Sequence, residues 1–371
     1  MTALNDLIDR IRAAAERRTP LRIRGGGSKD FYGASLDGEV IDTAPLAGVA
    51  SYEPSELVVT VAAGTPLHEL EAVLAEKHQC LPFEPPHFSH VADARPATVG
   101  GMVAAGLSGP SRASVGCVRD YVLGAAMLNG RGEPLRFGGT VMKNVAGYDV
   151  SRVLAGSMGQ LGLITEVSLK VLPVPPAEAT LEFACTQAEA QSLVNGWGGQ
   201  PWPLNASAWQ ARGDGPEGVL WLRLRGAAAA VESACRHLGG ERRRHPHAAA
   251  DWAALRDQTL PFFADAKEKG LALWRVSVPQ TAPVLALPGQ PLLEWHGGLR
   301  WYALPAGQAA AVREAARAAG GHATLFLPAT GQRGQDEPRF DTLSPALQRI
   351  HRALRERFDP AGIFNPGRLV A

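Results

Sequence analysis

Apolar and polar positions follow two periods along this chain, and the switches between them outline its organisation. Residues 1–18 (MTALNDLIDRIRAAAERR) carry apolar side chains at helical spacing, with acids first and bases last, which predicts an amphipathic helix matched to its own dipole. TPLRIR then predicts a strand that runs directly into three glycines, and extended segments follow at 40–42 and 57–61. A helix is expected from Thr65-Pro66 to about His78, because proline in a first turn forfeits no hydrogen bond. Residues 82–116, rich in Gly, Pro, Ser and His, are too long for a plain connector and predict a functional or ligand-ordered segment. Period two returns at 120–139, with a hairpin turn at NGRGE, and again in GQLGLITEVSLKVLPVP (159–175).

From 176 onward the order is β-α-β-β-α: a strand ATLEFACT, a helix QAEAQSLVNGW, strands at 206–212 and 218–225, and a helix from Ala227 to His237. A second set follows, with strands at 271–278, 291–296 and 299–304, a helix from Gly307 to Ala319 and a strand from His322 to Leu327. Two such units predict an α+β domain with helices on one face of an antiparallel sheet. LSPALQRIHRALRERFDP reads as a helix stopped by Pro360. The expected division is therefore 1–175, 176–335 and a C-terminal segment, 336–371, that packs back on the first domain.

Composition narrows the function classes. The chain has 371 residues, 46% hydrophobic and 20% charged, which suits a folded protein of two domains. A net charge of +1 gives no reason to expect nucleic acid as a partner. No stretch approaches the apolar length of a membrane helix, so no direct membrane insertion is expected, and a cytoplasmic protein with reduced thiols follows. Cysteines 80, 117, 185 and 235 are too scattered for a zinc motif or an iron–sulfur cluster. Arg242, Arg243 and Arg244 read as a solvated turn, and the eight tryptophans, mostly in strand patterns, as packing.

The candidate chemistry lies in glycine clusters. Gly25, Gly26 and Gly27 end a strand, where the lack of Cβ atoms lets backbone N–H groups approach a diphosphate, with Ser28 and Lys29 adding a hydroxyl and a charge. Alone this is weak; ATVGGMVAAGLSGPSRASVG (97–116) supplies a second site able to grip the same dinucleotide. GSMGQLG (156–162) precedes a strand and does not open a strand–turn–helix unit, so a Rossmann reading is rejected, and no P-loop pattern exists. His87, His90 and Asp93 have metal-like spacing, but in a loop this fixes no geometry, and a hydrogen bond near a ligand is the plainer reading. Glu294 and His296 are set aside as a metal site for want of further ligands.

From GGGSK through ATVGG to GSMGQLGLITEVSLKV the chain resembles the flavoprotein superfamily of vanillyl-alcohol oxidase and p-cresol methylhydroxylase (PCMH), and DPAGIFNPGR (359–368) resembles that family's ending. FEPPHF (83–88), GLSGPSR (106–112) and VMKNVAGYDVSRVLAGS (141–157) are similar to its GlcE branch, the FAD-binding subunits of glycolate oxidase. The resemblance implies an α+β fold: a PCMH-type FAD-binding domain of two α+β subdomains, a ferredoxin-like α+β second domain, and a C-terminal helix returning to the flavin. It implies bound FAD, with Arg24, Gly25, Gly26, Gly27, Ser28 and Lys29 around the pyrophosphate. Ala97, Thr98, Val99, Gly100, Gly101, Ser108, Gly109, Gly116, Val118, Gly162 and Ile164 would line the rest. Asn365 and Arg368 would approach the isoalloxazine or close the pocket. No histidine adjoins the first glycine loop, so the flavin is expected to be non-covalent. Cys117 is the one candidate for a covalent link, against a plain reading as a small buried residue. Lys143, Asn144, Tyr148 and Asp149 either sit near the flavin or a subunit contact or serve turns and core.

The implied activity is oxidation of the CH–OH of 2-hydroxy acids, by a FAD-dependent oxidoreductase subunit within a complex. Its implied partners are a sister FAD subunit of the GlcD type and an iron–sulfur subunit, with peripheral attachment to the inner membrane through them. The catalytic relatives carry HxxGDGNxH and EHGxG motifs that this chain lacks. No catalytic residue is therefore assigned, and dehydrogenation is expected in the sister subunit. A self-sufficient 2-hydroxyacid dehydrogenase and a flavin-free structural subunit remain as alternatives.

Overall fold

The computed structural model describes residues 2–34, 37–139, 149–213, 215–331 and 337–369. The chain forms two compact units: Met1–Leu107, Cys117–Pro173 and Thr342–Ala371 in the first, Ser108–Gly116 and Val174–Asp341 in the second. Lys143, Asn144 and Tyr148 lie outside the described residues.

The first unit contains strands β1 (Leu21–Arg24), β2 (Glu39–Asp42), β3 (Val49–Glu53), β4 (Val58–Ala62), β5 (Gln79–Cys80), β6 (Val122–Leu128), β7 (Pro134–Gly138), β8 (Leu163–Lys170) and β9 (Leu172–Pro173). It divides into two layers with separate cores. In one, β1 and β2 pair in parallel, and Leu7, Ile11 and Ala14 of the helix Thr2–Arg17 pack with Leu21, Ile41 and Phe364. In the other, five strands in the order β3-β4-β8-β6-β7 are antiparallel throughout. The helices Leu67–Ala75 and Val99–Ala105 supply Leu67, Leu70, Met102 and Val103 to that core. Asn129 stabilises the hairpin turn between β6 and β7, its Oδ1 accepting from the Arg131 and Glu133 amides at 2.9 and 3.0 Å.

The chain end closes this unit. Helix Pro345–Phe358 starts on Ser344, whose hydroxyl accepts from the Leu347 amide at 3.4 Å. After it, buried Asp359 accepts from the Phe364 amide at 2.7 Å, and Phe364 lies beside Leu21 as a parallel bridge on β1. The segment after the helix, rather than the helix itself, is what returns to the glycine strand.

The second unit is one antiparallel sheet of β10 (Ala177–Thr186), β11 (Leu204–Ala211), β12 (Glu217–Gly226), β13 (Glu241–Arg242), β14 (Ala272–Ser277), β15 (Leu292–Glu294), β16 (Leu299–Leu304) and β17 (His322–Leu327). Its order, β13-β10-β12-β11-β15-β16-β14-β17, is two ferredoxin-like halves joined edge to edge through β11 and β15. The first half is β-α-β-β-α-β, with helices Gln187–Gly198 and Ala228–Leu238; the second keeps only the helix Ala309–Ala318 between β16 and β17.

Helices cover both faces of this sheet, which corrects the one-face expectation. Side chains alternate across a strand, so Ala179 and Leu181 meet Val231 and Ala234, while Thr180 faces the other way and accepts from Trp252 Nε1 at 3.0 Å. Trp252 belongs to His245–Arg256, one of two helices to which the sequence reading assigned no element; the other, Pro261–Glu268, sets Phe263 edge-on to Trp301 at 5.5 Å. Arg242 is in the edge strand β13 and pairs with Glu232 at 2.9 Å, and Arg243 pairs with Asp251 at 2.7 Å.

Candidate functional site: a glycine-walled cofactor cleft

Strand β1 delivers the first wall. Leu21 and Ile23 hold it to β2 and to the chain end, and after Arg24 the backbone turns through Gly25, Gly26 and Gly27 into Ser28 and Lys29, all on one cleft within the first unit. A Cβ on Gly25 would stand 2.3 Å from Thr98 Oγ1, and one on Gly26 would stand 1.9 Å from the Pro96 carbonyl oxygen. Gly27 has φ +82°, a left-handed conformation costly for any side chain, and the Arg24 guanidinium lies over it. Among the described residues, no backbone acceptor takes the amide protons of Gly25, Gly26, Gly27 or Ser28. Converging amides without internal acceptors form an anion-binding concavity, which is the donor set a diphosphate needs.

Ion pairs and carbonyl contacts hold this wall. Asp30 Oδ2 accepts from Arg24 Nε at 2.8 Å and also pairs with Arg22. Arg95 grips Asp42 through both guanidinium nitrogens, at 2.8 and 3.0 Å, and donates to the Gly25 carbonyl at 2.6 Å. The Arg95 guanidinium holds the Asp42 carboxyl below the usual carboxylate range. Arg368 is 4% exposed, and its guanidinium donates to the carbonyls of Ala34, Lys29 (3.2 Å) and Asp30 (2.9 Å). It therefore braces the stretch that follows the glycines.

The second wall comes from Thr98, Gly100, Gly101, Ala104 and Ala105. Thr98 caps the helix Val99–Ala105, its hydroxyl accepting from the Gly101 amide at 3.3 Å. Gly100 packs so closely that a Cβ there would lie 2.7 Å from the Ala63 Cβ. Met158, Gly159, Gly162 and Ile164 close the far side together with Asn365. Asn365 ties three segments: its Oδ1 accepts from the Ile23 amide at 2.9 Å, its Nδ2 donates to the Met158 carbonyl at 2.7 Å, and its carbonyl accepts from Gln160 at 3.2 Å.

The structure thus gathers Arg24 through Lys29, Thr98, Gly100, Gly101, Gly162, Ile164, Asn365 and Arg368 onto one cleft. It places the side chains of Ala97, Val99 and Val118 in the core instead, because the backbone alternates past Thr98 and turns Val99 toward the sheet. Ser108, Gly109 and Gly116 belong to the second unit. There Gly109 accepts from Trp295 Nε1 at 2.9 Å, the Arg112 guanidinium lies 4.4 Å over the Trp295 ring, and Ser114 meets His296 Nε2 at 3.2 Å. His296 is largely buried, with Nδ1 3.0 Å from Ser207 Oγ, and burial pushes its pKa down to about 4.

Sequence reasoning missed Ile23, Asp30, Thr43, Ala104, Ala105, Met158 and Gly159 on the cleft. Ala104 and Ala105 lay inside the 97–116 segment already read as a second site, and Met158 and Gly159 inside GSMGQLG, which read as a failed Rossmann fingerprint and not as a wall for another nucleotide. Cys117 donates to Asp120 Oδ2 at 3.3 Å, and His87 pairs with Glu71 at 3.0 Å. Among the described residues, no group of three His, Cys, Asp or Glu side chains could hold a metal, and no helix is long and apolar enough to cross a membrane.

Comparison with known proteins agrees with this cleft. Residues 2–151 match the FAD binding domain family, and FAD is the cofactor that the cradle fits. The fold is that of alkyldihydroxyacetonephosphate synthase, with a TM-score of 0.67 at 16% identity, covering 98% of this chain and 76% of that one. The chain is 32% identical over 182 residues to D-lactate dehydrogenase of Anaerostipes hadrus, covering 48% of this chain and 37% of that protein. It is 31% identical over 169 residues to glycolate oxidase subunit GlcD of Bacillus subtilis, covering 45% and 35% respectively. To glycolate oxidase subunit GlcE of Escherichia coli K12 it is 43% identical over 365 residues, or 98% of this chain and 97% of that protein. A match of that extent, over both units and the chain end that walls the cleft, shows that the chain belongs to the glycolate oxidase subunit GlcE family of FAD-linked oxidoreductases.

Proposed function

We propose that the chain is the FAD-binding subunit of a multi-subunit glycolate oxidase that converts glycolate to glyoxylate, with D-lactate as the second candidate substrate. The single observation that carries this is the full-length likeness to the Escherichia coli subunit, against partial likeness to GlcD and the D-lactate dehydrogenases. The domain limits in this reading follow the sequence: 1–175 binds the flavin, 176–335 caps it or forms an interface, and 336–371 returns to close the cleft.

FAD, when bound, supplies a centre that accepts two electrons from a hydroxy acid or donor and can release them singly. The chain's own residues bind and orient it. Amides from Gly25 to Ser28 hold the pyrophosphate, with Arg24 and Lys29 adding positive charge, and Thr98 with Gly100 and Gly101 admits the flat remainder of the ligand. Asn365 and Arg368 keep the walls at fixed spacing through backbone contacts. Attachment is non-covalent in this reading, since no histidine adjoins the first loop and Cys117 is not among the residues that line the cleft. The dehydrogenation belongs to the sister flavin subunit, and this one relays electrons toward an iron–sulfur subunit or completes the assembly.

The test is the anaerobic absorption spectrum of the purified chain before and after excess glycolate. A yellow protein that glycolate leaves oxidised and that releases its flavin on denaturation is the expected result. Bleaching by glycolate would transfer the dehydrogenation to this subunit, and a colourless protein would remove the cofactor reading.

A further inference from the structure

One turn of the first unit walls two clefts. The Gln160 amide donates to the Ser157 carbonyl at 3.0 Å, and between these residues Met158 and Gly159 sit at φ +52° and +75°. The Gly156 and Met158 amides donate to the carbonyls of Val103 and Ala104 at 3.0 and 2.9 Å, which ties the turn to the helix Val99–Ala105. Met158 and Gly159 line the cofactor cleft, whereas Ser157 and Gln160 line a second cleft, of about 300 Å³, together with His351, Leu354 and Arg355 of helix Pro345–Phe358. That volume is at the lower end of the range for small-molecule sites.

The second cleft combines basic groups with apolar walls. Arg119, Arg152, His351 and Arg355 line it, and among the described residues no carboxylate does. Asp149 pairs with Arg152 at 3.1 Å, and Asp359 is near enough to Arg355 to feel its charge. Arg119 has no such acid: among the described residues its guanidinium meets only the Ala155 carbonyl, at 3.5 Å, the outer limit of a hydrogen bond. Ser157 is 7% exposed, and its hydroxyl has no hydrogen-bond partner among the described residues. A buried hydroxyl left unpaired costs stability that an arriving acceptor restores. Val153, Leu161, Leu354 and Leu369 supply the apolar wall.

We propose that this second cleft binds a small organic anion, a carboxylate or a phosphate monoester that carries an apolar group. Arg119 and the Ser157 hydroxyl take the anionic head, and the apolar group lies against Val153, Leu161 and Leu369. A planar guanidinium matches either head, with two parallel N–H donors. The site goes beyond the flavin reading, because none of the residues that line it lines the cofactor cleft.

The experiment titrates hexanoate, hexyl phosphate and inorganic phosphate into the purified full chain by calorimetry at low and high salt, with the flavin absorption band recorded throughout. At least one of the hexyl anions should bind, more tightly than inorganic phosphate and more weakly at high salt, and the tighter of the two identifies the head group. Arg119→Gln should weaken that binding at least tenfold and flatten its salt dependence, and Ser157→Ala should weaken it at least fivefold. Val153→Ser should weaken the hexyl anions alone, and Arg349→Gln, on the same helix but off the cleft, should change nothing. Arg119 and Val153 are exposed, so their variants should match the parent in circular dichroism. Parental affinity in both Arg119→Gln and Ser157→Ala would overturn the proposal. So would the absence of binding by either hexyl anion at millimolar concentration, or release of flavin as the anion binds, which would put the anion in the cofactor cleft. A colourless chain that binds a hexyl anion through Arg119 would sink the flavin reading and uphold this one, which keeps the two failures apart.

Discussion

The cofactor cleft of the first unit and the duplicated sheet of the second are built by opposite means. The cleft depends on atoms that are missing: Gly25, Gly26 and Gly100 touch backbone or short side chains so closely that one added carbon would collide. The sheet depends on atoms that are present: Trp209, Trp274 and Tyr302 are fully buried in it, each on a strand whose alternation decides which face it fills. Crowded glycines occur in both units, Gly218 and Gly321 of the second among them, so what marks those of the cleft is crowding together with their place on one concavity beside Arg24, Ser28 and Lys29. Gly196 and Gly198, in the helix Gln187–Gly198, have nothing within 4 Å of an added Cβ. A glycine is therefore informative about a ligand through its surroundings, and its mere presence says little.

The sharpest way to break this contrast is Gly26→Ala. Its methyl group would stand 1.9 Å from the Pro96 carbonyl, and the Arg95 amide is already bonded to the Gly26 carbonyl at 2.8 Å, so the loop cannot shift without breaking its clamp. We expect a loss of ~4 kcal/mol in stability and release of flavin, read from the melting midpoint and the flavin absorption band. A variant that melts with the parent and stays yellow would show that the glycine wall does not hold the cofactor.

Acid should probe the other unit. The folded pKa of His296, about 4, lies below the ordinary value of 6.5, so between them the unfolded chain binds a proton that the folded chain refuses. The stability is complete above pH 6.5 and declines as pH falls toward 4, by on the order of 3 kcal/mol. Burial lowers His322 as well, with Arg275 adding to that shift and Asp341 opposing it, so part of the slope will survive. His296→Gln should flatten the dependence of the second unit's urea midpoint between pH 4 and 6.5, and an unchanged slope would refute the assignment.

Next in size is Asn365→Ala, which leaves the Ile23 amide and the Met158 carbonyl without partners and puts alanine at φ +40°. Each orphaned buried group costs about 1–3 kcal/mol, so a total of roughly 3 kcal/mol is expected, with at least tenfold weaker flavin binding by fluorescence titration. Retention of parental affinity would mean that the chain end does not set the width of the cleft.

The two regions were legible to different degrees for the same reason. Period-two alternation survives any tertiary context, and β11, β12, β16 and β17 lie within about two residues of their expected spans. The helix Val99–Ala105 was hidden because Gly100 and Gly101 are poor helix formers, kept there by the close approach to Ala63 and not by propensity. His245–Arg256 was hidden behind an arginine run that reads as solvated, although Ala248, Trp252 and Leu255 are spaced as one face. In the cleft, most residues of the first two glycine motifs were found, Met158 and Gly159 of GSMGQLG were not, and Thr43 and Asp30 carry no pattern of their own. The bond from Ile23 to Asn365 spans 342 positions, which no local window can reveal.

The smallest expected effect has the opposite sign. Gly196 is exposed near the end of its helix with open space around it, and Thr186 and Glu189 already fix the other end with a capping box. Alanine there removes backbone freedom from the unfolded chain and meets nothing in the folded one, so Gly196→Ala should stabilise by about 0.5 kcal/mol. Flavin content should stay at the parental level. The same substitution would then loosen one unit and tighten the other, which separates crowding at the cleft from glycine's intrinsic flexibility. If Gly196→Ala also destabilised the chain or shed flavin, the surroundings of a glycine would no longer predict its role, and the case for Gly26 would lose its control.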